Sequence, residues 1–307
     1  MTYRVIVDYS PSYEWLCSFI LMCNKKWTKH LEIGSAWQKK VDRVTGFRFR
    51  QTAAELNNSP VLDYFYLLIW QSPEKRDVTR FIRWVEQLGE DDAAILLTPY
   101  TGVPADQALS AVKSLLPDLI EWHEHYFAAM DIESMRALQH DYQVKSILVA
   151  KMAPEQLVEL ATGGVVIGQA EELSAVVLVP SLHFRPLNHY NTFAGVMIIH
   201  YSIDAPEADE LEQSDAPPVH LLRLTRALAE ESRLRVLKFI ADAPAPRSLQ
   251  DLLRHSRLTK GALHHHMIML RAAGLIRVHI QGDEERYSIR KDGITELGGF
   301  LEMYLDI

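Results

Sequence analysis

The sequence predicts an α+β fold divided between two domains, on three observations. Helical periodicity dominates to about residue 160 and then gives way to β-branched, alternating segments. An acidic, proline-containing stretch at 204–218 interrupts the pattern. Beyond it, four short amphipathic helices lead into an alternating strand, a Gly282-Asp283 turn and a return strand. At 307 residues the chain suits two domains better than one. With 48% hydrophobic residues it can build a core without disulfides.

Taken in order, residues 3–9 read as a first strand that leads through Pro11 into a helix ending near Cys23. Helical spacing recurs at 28–44, 60–71, 77–88, 104–130 and 133–152, and Pro154 suits the first turn of a short helix ending at Gly163-Gly164. Residues 165–167, 173–179, 181–185 and 193–202 read as strands. The turn-rich Pro186-Leu187-Asn188-His189 separates the last two and suggests a small antiparallel sheet. The stretch 204–218 holds six acids and three prolines and no aromatic or β-branched residue, so it reads as a linker. The expected domains are therefore 1–203, mostly helical with the small sheet and serving effector binding or dimerisation, and 219–307.

Several function classes find no support. Cys17 and Cys23 stand six apart, about 240° around a helix, and suit core packing in a reducing cytoplasm. The start lacks the basic-then-apolar plan of a signal peptide, and the apolar runs at 175–180 and 194–199 are too short to span a bilayer. A soluble, cytoplasmic protein without membrane contact is expected. Glu121-Trp122-His123-Glu124-His125 lacks the i, i+4 histidines of a zinc protease motif. Gly163–Gly168 lacks the lysine and hydroxyl of a phosphate loop and precedes strands, so it reads as a turn. The aromatics Tyr64, Phe65, Tyr66, Trp70, Phe81 and Trp84 read as core rather than a ligand cage. No catalytic set, metal site or cofactor is expected.

Charge points to the C-terminal domain. The chain carries −8 overall, yet residues 219–291 hold 14 lysines and arginines against 7 acids. With the remaining acids, 219–307 stands at +3 and 1–218 at −11. A basic module joined to an acidic one is the footprint of polyanion binding at one end.

Within that module Leu221, Leu224 and Leu228 mark a first helix at 219–229, and Ser232 reads as the cap of a second. Ser248 caps a third at 249–255, Ser256-Arg257-Leu258 turns, and Thr259 caps a fourth at 260–273. Two short helices so joined form a helix-turn-helix, whose second helix fits a major groove. On it Leu263, Met267 and Leu270 face the core and His266 flanks them with a semi-buried structural hydrogen bond. Lys260, Gly261, His264, His265 and Ile268 point toward the groove. Gly261 keeps the helix start slim, so that its backbone can approach a phosphate or base edge. Three successive histidines project about 100° apart and cannot ligate one ion. Gly274 stops the helix, 275–281 and 286–290 form a hairpin, and an amphipathic helix at 294–305 closes the chain with apolar surface enough for dimer packing. Arg257, Lys260 and Arg271 are the phosphate candidates beside the groove-facing helix.

These residues resemble the ArsR family of bacterial transcription regulators. The match lies in Leu228-Ala229-Glu230 with Arg233-Leu234-Arg235-Val236-Leu237, then Leu258-Thr259, Leu263, His266-Met267, Leu270, and Ala273-Gly274-Leu275-Ile276. It covers about 219–291. The resemblance implies a winged helix-turn-helix, binding as a homodimer to an operator in double-stranded DNA, as a repressor released by an effector of unknown identity. The reading of the helix faces and of the wing gives the DNA-binding residues as Arg257, Thr259, Lys260, Gly261, His264, His265, Ile268, Arg271, Arg277 and Arg286. Two departures stand out. The helix at 249–255 has no cysteine and the last helix no histidine, which argues against the family's metal sensing. The wing tip is Asp283-Glu284-Glu285, which phosphate repels, so the wing must rely on Arg277, Arg286 or Arg290. The alternative is an enzyme or small-molecule-binding protein in which the winged helix serves autoregulation.

Overall fold

The computed structural model describes residues 3–24, 27–45, 56, 59–168, 173–204, 217–282 and 284–307. The chain divides into two compact units. One is Tyr3–Lys151 with Glu172–Pro206, the other Met152–Glu171 with Glu207–Ile307 together with Met1–Thr2. Most of the acidic linker and Asp283 of the wing turn lie outside the described residues.

In the first unit, strand β1 (Arg4–Val7) leads to helix α1 (Pro11–Cys23), whose Ser10 cap accepts from the Ser12 amide with Pro11 in the first turn. Helices α2 (Gly34–Thr45), α3 (Val61–Gln71), α4 (Val78–Gln87), α5 (Glu90–Leu96), α6 (Thr98–Thr101), α7 (Ala105–His125) and α8 (Ile132–Leu148) follow. Helix α1 is buried on all sides beyond Pro11 and packs against α3, α4 and α7. Tyr64, Phe65, Tyr66 and Phe81 are buried in this core, with Trp70 and Trp84 packed against it. Burial pushes the thiols of Cys17 and Cys23 well above their usual value, so they stay protonated inside.

The sheet of this unit is mixed, not antiparallel as expected. Leaving β2 (Val165–Ile167) to the second unit, its strands β3 (Ala175–Ser181), β4 (His189–Phe193) and β5 (Val196–Ser202) join β1 in the order β1-β3-β5-β4, with only β4–β5 antiparallel. Among the described residues the eight helices α1 to α8 of this unit intervene between β1 and β3, and a crossover of that length lets strands pair in parallel. Residues 182–185 form turns rather than a strand, and His189, read as part of a connector, opens β4. Ala175, Val177 and Val179 join the helical core, whereas Val176 and Leu178 alternate to the other face. Helix α8 packs on β1 and β3, and Tyr201 Oη donates to its Asp141 at 2.5 Å.

A buried carboxylate organises the end of β3. Glu14 Oε1 accepts from the amides of Leu182 (2.9 Å) and His183 (2.8 Å) and lies 2.7 Å from His183 Nδ1. His183 Nε2 is 3.0 Å from Tyr126 Oη, which accepts from Trp37 Nε1 at 3.0 Å. One side chain of α1 thereby holds the loop after β3 against the ends of α2 and α7.

The second unit begins well before the expected boundary. Helix α9 (Pro154–Thr162) ends at Gly163, whose φ of 64° suits a glycine cap, and runs into strand β2 (Val165–Ile167). Both were expected in the first domain, but β2 pairs in parallel with the first wing strand, Val165 opposite Val278 and Ile167 opposite Ile280. Helices α10 (Val219–Leu228), α11 (Glu231–Ala241), α12 (Leu249–Ser256) and α13 (Lys260–Ala272) follow, with the short strand β6 (Arg247–Ser248) before α12. Strands β7 (Ile276–Gln281) and β8 (Glu284–Ile289) and helix α14 (Lys291–Leu305) complete the unit. The sheet order is β2-β7-β8-β6. The cap of α11 is Glu230 rather than Ser232, and its side chain makes no capping bond. Buried Arg233 donates to the carbonyls of Ala227 (2.6 Å) and Arg226 (2.8 Å), closing the end of α10.

Docking of α9 and β2 rests on buried apolar side chains, among them Leu157, Val158 and Val165. In the full chain, Leu157→Ala should cost about 2–5 kcal/mol. Hydrogen–deuterium exchange should accelerate along Ile276–Gln281, remote in sequence from the substitution. Unchanged exchange in that strand, with the destabilisation confined to the first unit, would show that α9 does not support the wing.

Candidate nucleic-acid interface

The helix-turn-helix is built from local capping. Ser248 Oγ accepts from the Asp251 amide (3.2 Å), and Asp251 Oδ2 accepts from the Ser248 amide (3.2 Å) and hydroxyl (2.7 Å), closing a reciprocal cap on α12. Arg257 ends that helix at φ 57°, ψ 17°, a left-handed conformation that turns the chain sharply. Thr259 Oγ1 then accepts from the Ala262 amide at 3.2 Å and starts α13. The Thr259 hydroxyl is therefore a cap first.

Leu263, Met267 and Leu270 are buried, as their spacing requires. Lys260, Gly261, His264 and His265 are exposed on the opposite side at the helix start, next to exposed Arg257. No atom outside the local backbone lies within 4 Å of the position a Cβ would take on Gly261, so the fold does not require glycine there. Ile268 departs from the expectation. It is only 7% exposed, on a helix that packs against α10, α12 and β7. A groove-facing role is confined to the first half of the helix. His266 is buried, and its Nδ1 has no hydrogen-bond partner among the described residues, where a structural bond was expected. Burial, and then the charge of Arg233, push its pKa below the usual histidine value.

The wing arginines are engaged within the protein. Strand alternation sends Glu285, with Tyr287, to the face of β8 that looks inward. There Glu285 Oε2 lies 3.4 Å from Arg271 Nη1 and accepts from Tyr287 Oη at 2.7 Å. Arg286 lies 3.4 Å from Glu284 on the exposed face. Arg277 Nε donates to Glu159 of α9, Nη1 donates to the Ile289 carbonyl at 3.2 Å, and Nη2 is 3.6 Å from Asp292. Arg290 reaches Gly274 O (3.2 Å) and Glu296 (2.7 Å). The structure thus groups Arg257, Thr259, Lys260, Gly261, His264 and His265 at one end of α13. It places Arg271, Arg277 and Arg286 apart from them, each beside a carboxylate. Glu285 was missed as the partner of Arg271, although the period of two in Glu284-Glu285-Arg286-Tyr287 puts it on the same face as Tyr287, which donates to it. Glu159 left no such signal, since it lies 118 residues from Arg277.

Among the described residues no three His, Cys, Asp or Glu side chains are grouped so as to hold a metal ion, and no helix is long and apolar enough to cross a membrane.

Residues 230–278 match the family profile of bacterial regulatory proteins of the ArsR family, and the C-terminal part of the chain carries an ArsR-type helix-turn-helix. No curated protein matches the chain. Among solved structures, an ArsR-like transcriptional regulator from Rhodococcus sp. RHA1 is 25% identical, with 27% of this chain and 77% of that one covered at a TM-score of 0.25. A homodimeric winged helix-turn-helix DNA-binding domain from Mycobacterium bovis, described as a possible ArsR-family regulator, is 17% identical, with 34% and 91% covered at 0.24. A crystal structure of a possible transcriptional regulatory protein fragment from Mycobacterium bovis is 18% identical, with 32% and 99% covered at 0.24.

The depressed pKa of His266 has a thermodynamic consequence. Below about pH 6.5 the unfolded chain binds a proton at this position that the folded chain resists, so stability falls as the pH drops. His266→Gln should lose less unfolding temperature than the wild type between about pH 7 and about pH 5. Parallel curves for the two proteins would remove His266 from the pH response.

Proposed function

We propose that this chain is a DNA-binding transcriptional regulator that contacts DNA through the first half of α13 and the turn before it. The observation that carries the reading is the exposed cluster Arg257, Lys260, Gly261, His264 and His265 on an ArsR-type helix-turn-helix. Lys260 and Arg257 supply positive charge for phosphates. His264 and His265 can each donate and accept at base edges. The bare backbone at Gly261 leaves room for close approach. Because the wing arginines sit beside carboxylates, the wing is a minor phosphate contact in this reading.

The regulator acts as a homodimer on an operator. Support comes from α14, which packs on α10 and leaves Ile294, Leu301, Met303 and Leu305 exposed along with Val219 of α10. Apolar side chains gathered on two adjoining helices favour association with a second copy. The resemblance supplies the sign of regulation, repression, and gives the first unit the role of effector-binding or dimerisation module.

A gel-shift titration against the DNA upstream of the protein's own coding sequence tests the interface. Replacing Lys260, His264 and His265 together with alanine should weaken binding by at least about tenfold, on the order of one lost base or phosphate contact set. Unchanged affinity would sink the assignment. Gly261→Ala should leave the unfolding temperature unchanged or raised, since alanine favours a helix, while weakening the same complex several-fold. If it binds DNA like the wild type, no close backbone approach exists at that position.

A further inference from the structure

Arg277 projects from β7 on the side that alternates away from the core, where a wing arginine would reach phosphate. In the structure its guanidinium is held instead by Glu159, the Ile289 carbonyl and Asp292. Glu159 stands in the last turn of α9, where the helix dipole disfavours a carboxylate, so the arginine is a favourable partner for it.

The origin of that partner matters. α9 and β2 form a segment, Met152–Glu171, that the chain contributes to the second unit between Lys151 and Glu172 of the first. The segment is fastened by backbone bonds from Val278 N to Gly164 O and from Gly168 N to Ile280 O, both 2.8 Å. At Gly164, with φ of 128°, a Cβ would stand 3.0 Å from the Ile276 carbonyl, so close approach of the two strands requires glycine. The contact to Arg277 is therefore delivered by chain that is continuous at both ends with the first unit. The linker 204–218 alone does not connect the units covalently.

We propose that α9 is an autoinhibitory brace: Glu159, with Asp292, holds Arg277 away from DNA, and displacement of α9 converts Arg277 into a phosphate contact. The inference rests on the DNA-binding reading of this unit. It gives the first unit a route to DNA affinity that leaves the α13 surface untouched. The ion pair suits such a role, since both side chains are about a quarter exposed (27% and 28%) and pairs of that kind are weakly held.

The test uses the full chain and a labelled random-sequence duplex, with binding followed by fluorescence anisotropy across a sodium chloride series. The proteins are the wild type, Glu159→Ala with Asp292→Asn, Arg277→Ala, and all three changes together. One added phosphate contact steepens the slope of log affinity against log salt by about 0.9. The acid-removed variant should show that steepening, Arg277→Ala alone should keep the wild-type slope, and the triple variant should return to it. A wild-type slope in the acid-removed variant overturns the proposal. So does a gain that survives in the triple variant, because removal of two negative charges would then be acting through the general field. A shallower slope for Arg277→Ala alone also overturns it, since Arg277 would already be on DNA. Wild-type protein that shows no salt-dependent binding to any duplex fails the DNA-binding reading itself, which is a separate outcome.

Discussion

Strand β7 has two edges, and each must find backbone partners. β8 satisfies one through the hairpin turn. The other would stand open as a row of unpaired amide and carbonyl groups, a hazard that folded proteins cover. Here β2 covers it in parallel, and Val165 and Ile167 bury their side chains as they do so. Much of the second unit follows from that pairing. It brings α9 alongside the wing, sets Glu159 against Arg277, and draws a segment from the middle of the chain into the unit that carries the helix-turn-helix.

Electrostatics in this unit is a matter of which face each charge occupies. The local excess of basic residues is real, but strand alternation and the neighbouring helices decide how much of it faces outward. Glu285 is turned inward and shared between Arg271 and Tyr287, so its charge is spent inside the fold rather than opposed to phosphate. Arg233 and Arg290 cap helix ends. Exposed Arg235, Lys238 and Arg254 are each paired with an acid of their own helix or its cap. Arg257 and Lys260 instead lie together where α13 begins, and the proposed groove contact rests on that end rather than on the net charge.

The first unit is held by a different device. Glu14, buried in α1, gathers the amides and imidazole at the end of β3, and through His183 reaches Tyr126 and Trp37. These partners satisfy Oε1 of the buried Glu14, whereas its Oε2 has none among the described residues. The same interior keeps Cys17 and Cys23 protonated and packed, which removes them as reactive thiols.

The sequence by itself determined the features that local chemistry controls. Ser248 and Thr259 as caps, Gly163 and Gly274 as helix stops, the apolar stripe of Leu263, Met267 and Leu270, and the wing hairpin all depend on residues within a few positions of one another. Only the tertiary structure decided the rest. Val165–Ile167 has the same β-branched pattern whichever sheet it joins, so nothing local could assign it to the wing. Parallel pairing of β1, β3 and β5 depends on contacts across long crossovers. Ile268 lies on the side of α13 away from its stripe, yet it is buried, on a helix whose neighbours α10, α12 and β7 are other elements of the chain. Arg277 reads as a basic wing residue until a carboxylate 118 positions earlier is brought beside it. The physical reason is the same in each case: caps and periodicity act through the backbone of one element, whereas partners and burial are set by which elements meet.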